Sequence, residues 1–441
     1  MKTKTKIVAL FVEIVVVLCG VFLAGLPVSA SAAEGSPEAT TATATAGAGD
    51  DFVLGIYGNA NEDETIDMRD ITYAARIILW LEEENELADA NNDGRVSVAD
   101  MTQIGLIILG KEGELTLVDS ADRTVTVKKP VERIVVFSEA LETMRSIKAT
   151  ENVVGVNKYV VADETFFPEF GDYPSVGSVW SPDIEKALEL EPDLVFLYAT
   201  FSTSYCDDIQ EKLEDADPSI TVLRFDNYRP DEIFADETRK MGYVLSRREE
   251  TAEFLDFFQK YMDTIKERVE GISAEDKKTV YLECWREWHT ATDKAGWGQK
   301  LEMAGGDNIF GDEPGEYIDV NAEAVIVEDP EFIVRIEKKT GGYELDADDT
   351  TELEEVRDEI MKRDGFEHLT AVENGTVCII TNHVIGGTRN FVGIGYLAKW
   401  LYPELFADLE PKAVHQEYLT RFQGLDIDLE EKGVFVYPEP A

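Results

Sequence analysis

Short apolar runs alternate with amphipathic stretches over most of the chain from Leu115 onward. Arg133–Phe137, Asp193–Leu197 and Thr221–Leu223 predict buried strands, as do Thr279–Leu282, Glu331–Val334 and Thr376–Ile380. Near-continuous apolar runs separated by helical stretches are what a parallel sheet covered on both faces requires. Between the two sets, Phe254, Phe258, Tyr261, Ile265, Val269 and Ile272 recur at spacings of four, three, four, four and three. That periodicity predicts one helix of about 20 residues, roughly 30 Å long, enough to cross from one lobe to another. The expected fold class is α/β, with one lobe over 116–246, an inter-lobe helix within 247–278 and a second lobe over 279–441.

The N-terminal stretch follows a different pattern. Lys2, Lys4 and Lys6 precede an apolar run from Ile7 to Leu26, broken by Glu13 and followed by Ala30-Ser31-Ala32. A basic start, a short apolar core and small residues at a cleavage point mark a signal peptide over 1–32, and hence an exported, extracytoplasmic or cell-surface protein. An uncleaved N-terminal anchor is the alternative. Residues 33–50, mostly Ala, Thr and Gly, have too little apolar bulk to fold and read as a flexible linker.

Residues 59–80 and 89–110 repeat at an offset of 30. The pairs Ala60/Ala90, Asn61/Asn91, Asp63/Asp93, Asp70/Asp100, Thr72/Thr102 and Ile77-Ile78-Leu79/Ile107-Ile108-Leu109 are identical. Each copy is a polar 12-residue loop followed by an apolar helix. In the second loop Asp89, Asn91, Asp93, the Arg95 carbonyl, Ser97 and Asp100 take positions 1, 3, 5, 7, 9 and 12, with Gly94 at the turn, which is the spacing of an EF-hand calcium loop. In the first, Asn59, Asn61, Asp63, Thr65, Asp67 and Asp70 take the same places. Asn59 replaces an acid there and Glu64 replaces the glycine, so weaker calcium binding is expected. Two Ca²⁺ sites follow; Asp70 and Asp100 would equally serve as acidic helix starts. Loop–helix repeats of this kind, closed by Asp and lacking an incoming helix, resemble type I dockerin modules over about 57–112. The resemblance implies a small all-α calcium-binding module over 51–115. It also implies docking onto a cohesin-bearing partner through the helices and through Met68-Arg69 and Val98-Ala99, with calcium ordering the module and leaving the lobes unchanged.

Charge narrows the partners. With 41 basic and 89 acidic side chains the formal charge is −48, which repels nucleic acid and anionic lipid. Cys206, Cys284 and Cys378, dispersed beyond the leader's Cys19, make neither a disulfide framework nor a zinc site, and four histidines leave little for a polyhistidine site.

A second echo lies in the lobes. Asp183–Val195 parallels Asn321–Ile333, each with a Glu seven residues before a Pro and then a strand. Together with Gly177–Ser181, Ala304–Phe310 and Gly393–Glu404, this pair resembles the class III solute-binding proteins of ABC importers, the iron–siderophore, haem and cobalamin receptors, over about 118–437. The resemblance implies two Rossmann-like α/β lobes joined by one long helix. One ligand, an iron chelate or related metal complex, would bind between them and be delivered to an ABC permease; the function is then not enzymatic. It also implies permease docking through one acid on each lobe, matched here by Glu185 and Glu323, which would otherwise be solvated helix-start carboxylates. Candidate ligand residues near strand ends are Trp180, Trp285, Arg286, Trp288, His289 and Trp297. Arg389 joins them by the family's pattern, and Tyr159, Tyr228 and Arg229 are weaker candidates. Aromatics suit a broad planar or chelate ligand, and the cations suit its oxygens. A cobalamin or haem receptor of the same class is the nearest alternative. A dockerin-borne extracellular enzyme and a scaffold adaptor come from other classes; no Gly-x-Ser-x-Gly, His-Glu-x-x-His or Walker motif supports the enzyme.

Overall fold

The computed structural model describes residues 52–229 and 232–440. The signal peptide and linker expected over 1–50 lie outside the described residues. Two helices come first, α1 (Met68–Ile78) and α2 (Val98–Leu109), followed by a two-stranded ribbon, β1 (Glu114–Val118) and β2 (Thr124–Lys128). The first lobe is built on four parallel strands, β3 (Ile134–Val136), β4 (Val153–Val156), β5 (Leu194–Leu197) and β6 (Thr221–Arg224), in the order β4-β3-β5-β6. Helix α3 (Ala140–Ser146) follows β3, and the short α4 (Ile184–Glu189) precedes β5. Helix α5 (Glu232–Val244) then leads into α6 (Arg248–Val269), whose 22 residues span about 33 Å between the lobes.

The second lobe contains β7 (Lys278–Cys284), β8 (His289–Ala291), β9 (Gly306–Asn308), β10 (Tyr317–Asp319), β11 (Phe332–Glu337), β12 (Val377–Thr381) and β13 (Val436–Tyr437), in the order β10-β8-β7-β11-β12-β13 with β9 also on β7. β7, β11 and β12 run parallel, while β8, β10 and β13 are antiparallel additions. Helix α7 (Gly296–Met303) precedes β9, α8 (Ala322–Glu328) precedes β11, and α9 (Asn390–Leu401) follows β12.

All six apolar runs of the sequence lie in these two sheets, and their side chains alternate between two cores. Ile134, Val136, Leu194 and Phe196 face the central core; Val135, Val195 and Leu197 face the opposite side. In the second lobe Val280, Leu282, Val334 and Ile336 join the central core, and Tyr281, Ile333, Val377 and Ile379 a third. A period of two with both faces buried keeps the strands largely apolar, and the buried exceptions Glu283 and Arg335 pair with each other. The central core is continuous through α6, where Phe254, Phe258 and Ile265 are buried. A Cβ on Gly395 would stand 1.8 Å from the Tyr261 hydroxyl, so α9 approaches α6 this closely only with glycine there.

The loop–helix repeat is not a separate body. Leu54, Ile56, Ile77 and Ile107 share the central core with Leu115 and Leu117. Ile56 pairs with Leu117 of β1, so a boundary after 115 falls inside a strand that both parts use. The Tyr243 hydroxyl accepts a hydrogen bond from the Ile66 amide (3.1 Å), and Arg248, at the start of α6, donates to the Ile108 carbonyl (2.8 Å).

At the end of β7 the chain turns through Trp285 and Trp288 with φ of 65° and 62°. Bulky residues in this left-handed region cost about 1–3 kcal/mol each unless surroundings hold them. Buried Glu283 is the holding group. It accepts from the Trp288 amide (2.9 Å), from Arg335 (2.7 Å) and from both Arg363 terminal nitrogens (2.9 Å each). The two guanidinium groups hold its carboxyl below the usual range even against burial. Arg363 also lies 4.8 Å over the Trp288 ring, which meets Phe366 edge-on at 5.7 Å. Trp288, expected at the ligand, therefore packs into the second lobe's own core. Trp288→Ala should lower the unfolding free energy by about 3 kcal/mol in chemical denaturation and leave ligand affinity nearly unchanged.

Candidate functional site

The carboxyl ends of the parallel strands of both lobes open onto one cleft of roughly 620 Å³, where open α/β sheets place their ligands. On the first lobe, Ser138 and Glu139 follow β3, Tyr198 and Phe201 follow β5, and Tyr228 follows β6. On the second, Trp285 follows β7, Lys338 follows β11, and Gly387 and Arg389 follow β12. Trp297 and Lys300 enter from α7.

Aromatic rings dominate both walls. Trp180 meets Tyr159 edge-on at 6.3 Å and Phe201 at 5.7 Å, and Phe201 continues to Tyr198 at 5.3 Å and Tyr228 at 6.0 Å. Tyr159 and Trp180 remain 55% and 48% exposed, large apolar faces left open to the cleft. On the opposite wall Trp285 meets Trp297 edge-on at 6.2 Å and Tyr317 at 5.3 Å. Such rings offer contact area at little entropic cost.

Of the residues singled out in the sequence, the cleft gathers Trp180, Trp285, Trp297 and Arg389, with Tyr159, Tyr228 and Arg229. Arg286, Trp288 and His289 do not line it. His289 sits behind the wall, its ring stacked on Tyr317 at 5.7 Å, with its Nδ1 2.8 Å from Asp319. Arg286 donates to the same carboxylate, and these two partners hold the Asp319 carboxyl below its ordinary range. Both side chains are thereby engaged on the edge strand β10.

Arg389 lines the cleft but is not a free charge. Its Nη1 lies 3.1 Å from Glu142 Oε1, its Nε donates to the His383 carbonyl, and its guanidinium lies 3.9 Å over Phe166. Around this pair α3 is tied to the second lobe. The Tyr418 hydroxyl donates to Glu142 (2.8 Å), Thr143 and Thr388 hydroxyls meet at 2.7 Å, and Arg145 donates to Gln423 (2.6 Å). Gly387 sits against this junction with φ of 58°, where a Cβ would come within 2.6 Å of Glu142 Oε2.

Glu139, Glu142, Lys300 and Lys338 were not anticipated. Glu139 and Lys338 each stand just beyond a buried strand, and that position is the signal that could have found them. Burial pushes the Lys300 ammonium down to about 7, offset in part by Glu139. Lys338 is lowered by burial too. The Glu139 carboxyl is raised, first by the surrounding protein mass and then by Glu142, against Lys300, Arg389 and Lys338.

Glu185 and Glu323 occupy matching places on the two lobes. Each is exposed in the first turn of a short helix, α4 or α8, whose N-cap is Asp183 or Asn321.

Among the described residues no helix is long and apolar enough to cross a membrane. The family model described as periplasmic binding protein matches residues 134–384. The uncharacterized ABC transporter substrate-binding lipoprotein YvrC of Bacillus subtilis is 23% identical over 299 residues, covering 67% of this chain and 87% of that protein. IsdE of Staphylococcus aureus, a high-affinity heme uptake system protein, is 23% identical over 284 residues, covering 63% of this chain and 88% of its own. The crystal structure of the TroA-like periplasmic binding protein FepB from Veillonella parvula superposes with a TM-score of 0.63 at 25% identity, covering 73% of this chain and 98% of that one. The family match begins after the loop–helix repeat and takes in the parallel strands whose ends form the cleft. The chain belongs to the periplasmic binding protein family and is a substrate-binding protein of an ABC importer.

Proposed function

We propose that the cleft takes an iron chelate of the siderophore kind and presents it to the permease. The observation that carries this reading is the pair of aromatic walls facing across about 620 Å³, a volume suited to a ligand of that size. No His, Met or Cys side chain is among the described residues lining the cleft. A ligand whose own donors saturate its metal fits such a site better than one seeking a protein nitrogen or sulfur. Native mass spectrometry of protein from its source should carry a ferric chelate. A coloured ferric trihydroxamate should quench tryptophan emission, and Trp285→Ala should weaken that binding about thirtyfold, the equivalent of about 2 kcal/mol for a central aromatic anchor. Tight binding of cobalamin or haem with no response to ferric chelates would replace this ligand by one of those.

Glu185 and Glu323 are read as the permease contacts because they are exposed at equivalent places on both lobes. Rim charges govern docking more than ligand contacts do. The Glu185→Lys/Glu323→Lys double variant should abolish uptake by membrane vesicles carrying the importer while ligand affinity stays within about twofold. Undiminished uptake would remove the docking role.

The loop–helix repeat is read as a calcium-dependent dockerin that anchors the receptor to a cohesin. Its donor set is hard oxygen, as Ca²⁺ requires. Asp70 and Asp100 are fully buried, each bonded to backbone amides at both ends of its loop. Burial raises both carboxyls, a cost that a bound cation would relieve. In the first loop Arg69 already pairs with Asp63 (2.9 Å) and Asp67 (3.0 Å), and the Asn59 amide is bonded to the Leu54 and Asp63 carbonyls. The second loop has Asp89 at position 1, and its nearest arginine, Arg95, is 3.7 Å from Asp93. Met68 and Val98, 60% and 52% exposed at the starts of α1 and α2, support a partner surface there. Calcium titration should show Asp89→Ala losing more affinity than Asn59→Ala. Since the repeat shares the lobe's core, calcium should also raise the unfolding midpoint of the whole chain rather than of the repeat alone.

A further inference from the structure

Two lysines lie on the second-lobe wall of the cleft, each laid over an indole. Lys300 Nζ is 4.3 Å from the centre of the Trp297 ring and Lys338 Nζ is 3.6 Å from that of Trp285, and those two rings touch edge-on. Lys300 is 2% exposed, and its ammonium has one hydrogen-bond partner, the Ile385 carbonyl at 2.9 Å. Two of its three N–H bonds are therefore left without an acceptor among the described residues. A buried cation in that state is costly unless a negative group completes its shell. Ring faces supply part of the balance, but neither lysine has a carboxylate within ion-pair distance among the described residues.

The acid that faces them comes from the other lobe. Glu139, directly after β3, is exposed to the cleft, and its Oε2 lies 3.9 Å from where a Cβ on Gly387 would stand. No ion pair holds its carboxylate among the described residues. The charged or titratable groups around it are Glu142 on α3, Tyr198 beyond β5, Lys300 on α7, Lys338 beyond β11 and Arg389 ahead of α9. Arg389 is already neutralised by Glu142. Asp163, Arg229, Lys294 and Glu316 also line the cleft. Lys338 further feels Cys284, whose thiol burial pushes up to about 12, so it stays neutral.

We propose that Lys300 and Lys338 form an oxyanion subsite that takes a carboxylate or sulfonate-like group of the ligand, and that Glu139 is the counter-ion which that group displaces, entering the bound state protonated. The proposal deepens the ligand reading above and rests on it for the place of the site alone. It assigns the anionic end of the ligand to the second lobe, over the Trp285–Trp297 pair, and leaves the first-lobe aromatics to its apolar body.

The pH dependence has one sign. An anion favours Lys300 charged and Glu139 neutral, and both are the protonated forms. Affinity is thus highest in acid and falls as pH climbs through the raised Glu139 range and then through about 7, where Lys300 loses its proton.

Benzenedisulfonate, whose charge is fixed across this range, is the probe, with benzenedisulfonamide as its neutral counterpart. Calorimetry on the full chain should show the disulfonate binding at least about tenfold more weakly at about pH 9 than at about pH 5, with net proton uptake near neutrality. The disulfonamide should show no such slope. Glu139→Gln should bind the disulfonate more tightly near neutral pH and with less proton uptake. Lys300→Met, which keeps length and removes a buried charge, should lose most of the binding. Lys338→Gln, at an exposed position, gives the same reading if the Lys300 variant does not fold. Absence of disulfonate binding, affinity undiminished from that of the unsubstituted protein in both lysine variants, or weaker binding by Glu139→Gln would overturn the subsite. A ferric trihydroxamate failing to bind while the disulfonate behaves as described would overturn the chelate reading and leave the subsite standing.

Discussion

The Glu142–Arg389 pair sets the distance between the two walls of the cleft. A carboxylate from the first lobe and a guanidinium from the second meet at 3.1 Å, both buried. Desolvating two charges costs several kcal/mol per ion, so such a pair persists only where further hydrogen bonds complete it. They are present here. Tyr418 donates to Glu142, Gln423 bridges Arg145, Ser146 and Tyr418, and the Thr143 and Thr388 hydroxyls close the set. Separating the lobes would break the Glu142–Arg389, Glu142–Tyr418, Thr143–Thr388 and Arg145–Gln423 contacts together. With α6 packed through the continuous central core as well, wide hinge opening is disfavoured. The walls are held near one spacing, and selection among ligands falls to the side chains on them.

Those side chains divide their work by charge. Arg389 has the largest cation but uses it on the lobe junction. His289 and Arg286 are bonded to Asp319 at the sheet edge. Lys300 and Lys338 lie over indole faces with no carboxylate in ion-pair distance among the described residues, Lys300 donating also to the Ile385 carbonyl. In a chain of charge −48, two such ammonium groups inside a cleft are a local reversal of the protein's field, where an anionic ligand group gains most.

How much of this could be read from residues alone follows from what each feature depends on. The strands were legible because burial on both faces forces an apolar run whatever the fold's details, and the long helix was legible because α6 keeps its period across both lobes. Trp285 and Trp288 show the limit. They sit three residues apart in one turn, both just beyond a strand, and nothing local distinguishes them. Glu283, Arg335 and Arg363 come from three separate segments and hold the turn so that one ring lines the cleft and the other meets Phe366. Lys300 was illegible for a related reason. Its spacing from Trp297 is visible as one helical turn, but the carbonyl that its buried ammonium bonds belongs to Ile385, 85 residues away. Glu139 is one acid among 89, separable from the rest only by following β3.

The loop–helix repeat shows the same limit at the scale of a module. Its internal symmetry and the Ala/Thr-rich stretch before it argue for a free-standing unit, since local patterns report local structure. Two polar loops and two short helices bury little apolar surface by themselves, and a unit that small needs metal or outside support to stay folded. The support comes from β1, from Tyr243 at the end of α5 and from Arg248 at the head of α6. Arg248 links the repeat to the same helix that spans the lobes. The repeat therefore shares the receptor's central core, and what orders the repeat also stiffens the base from which α6 reaches the second lobe.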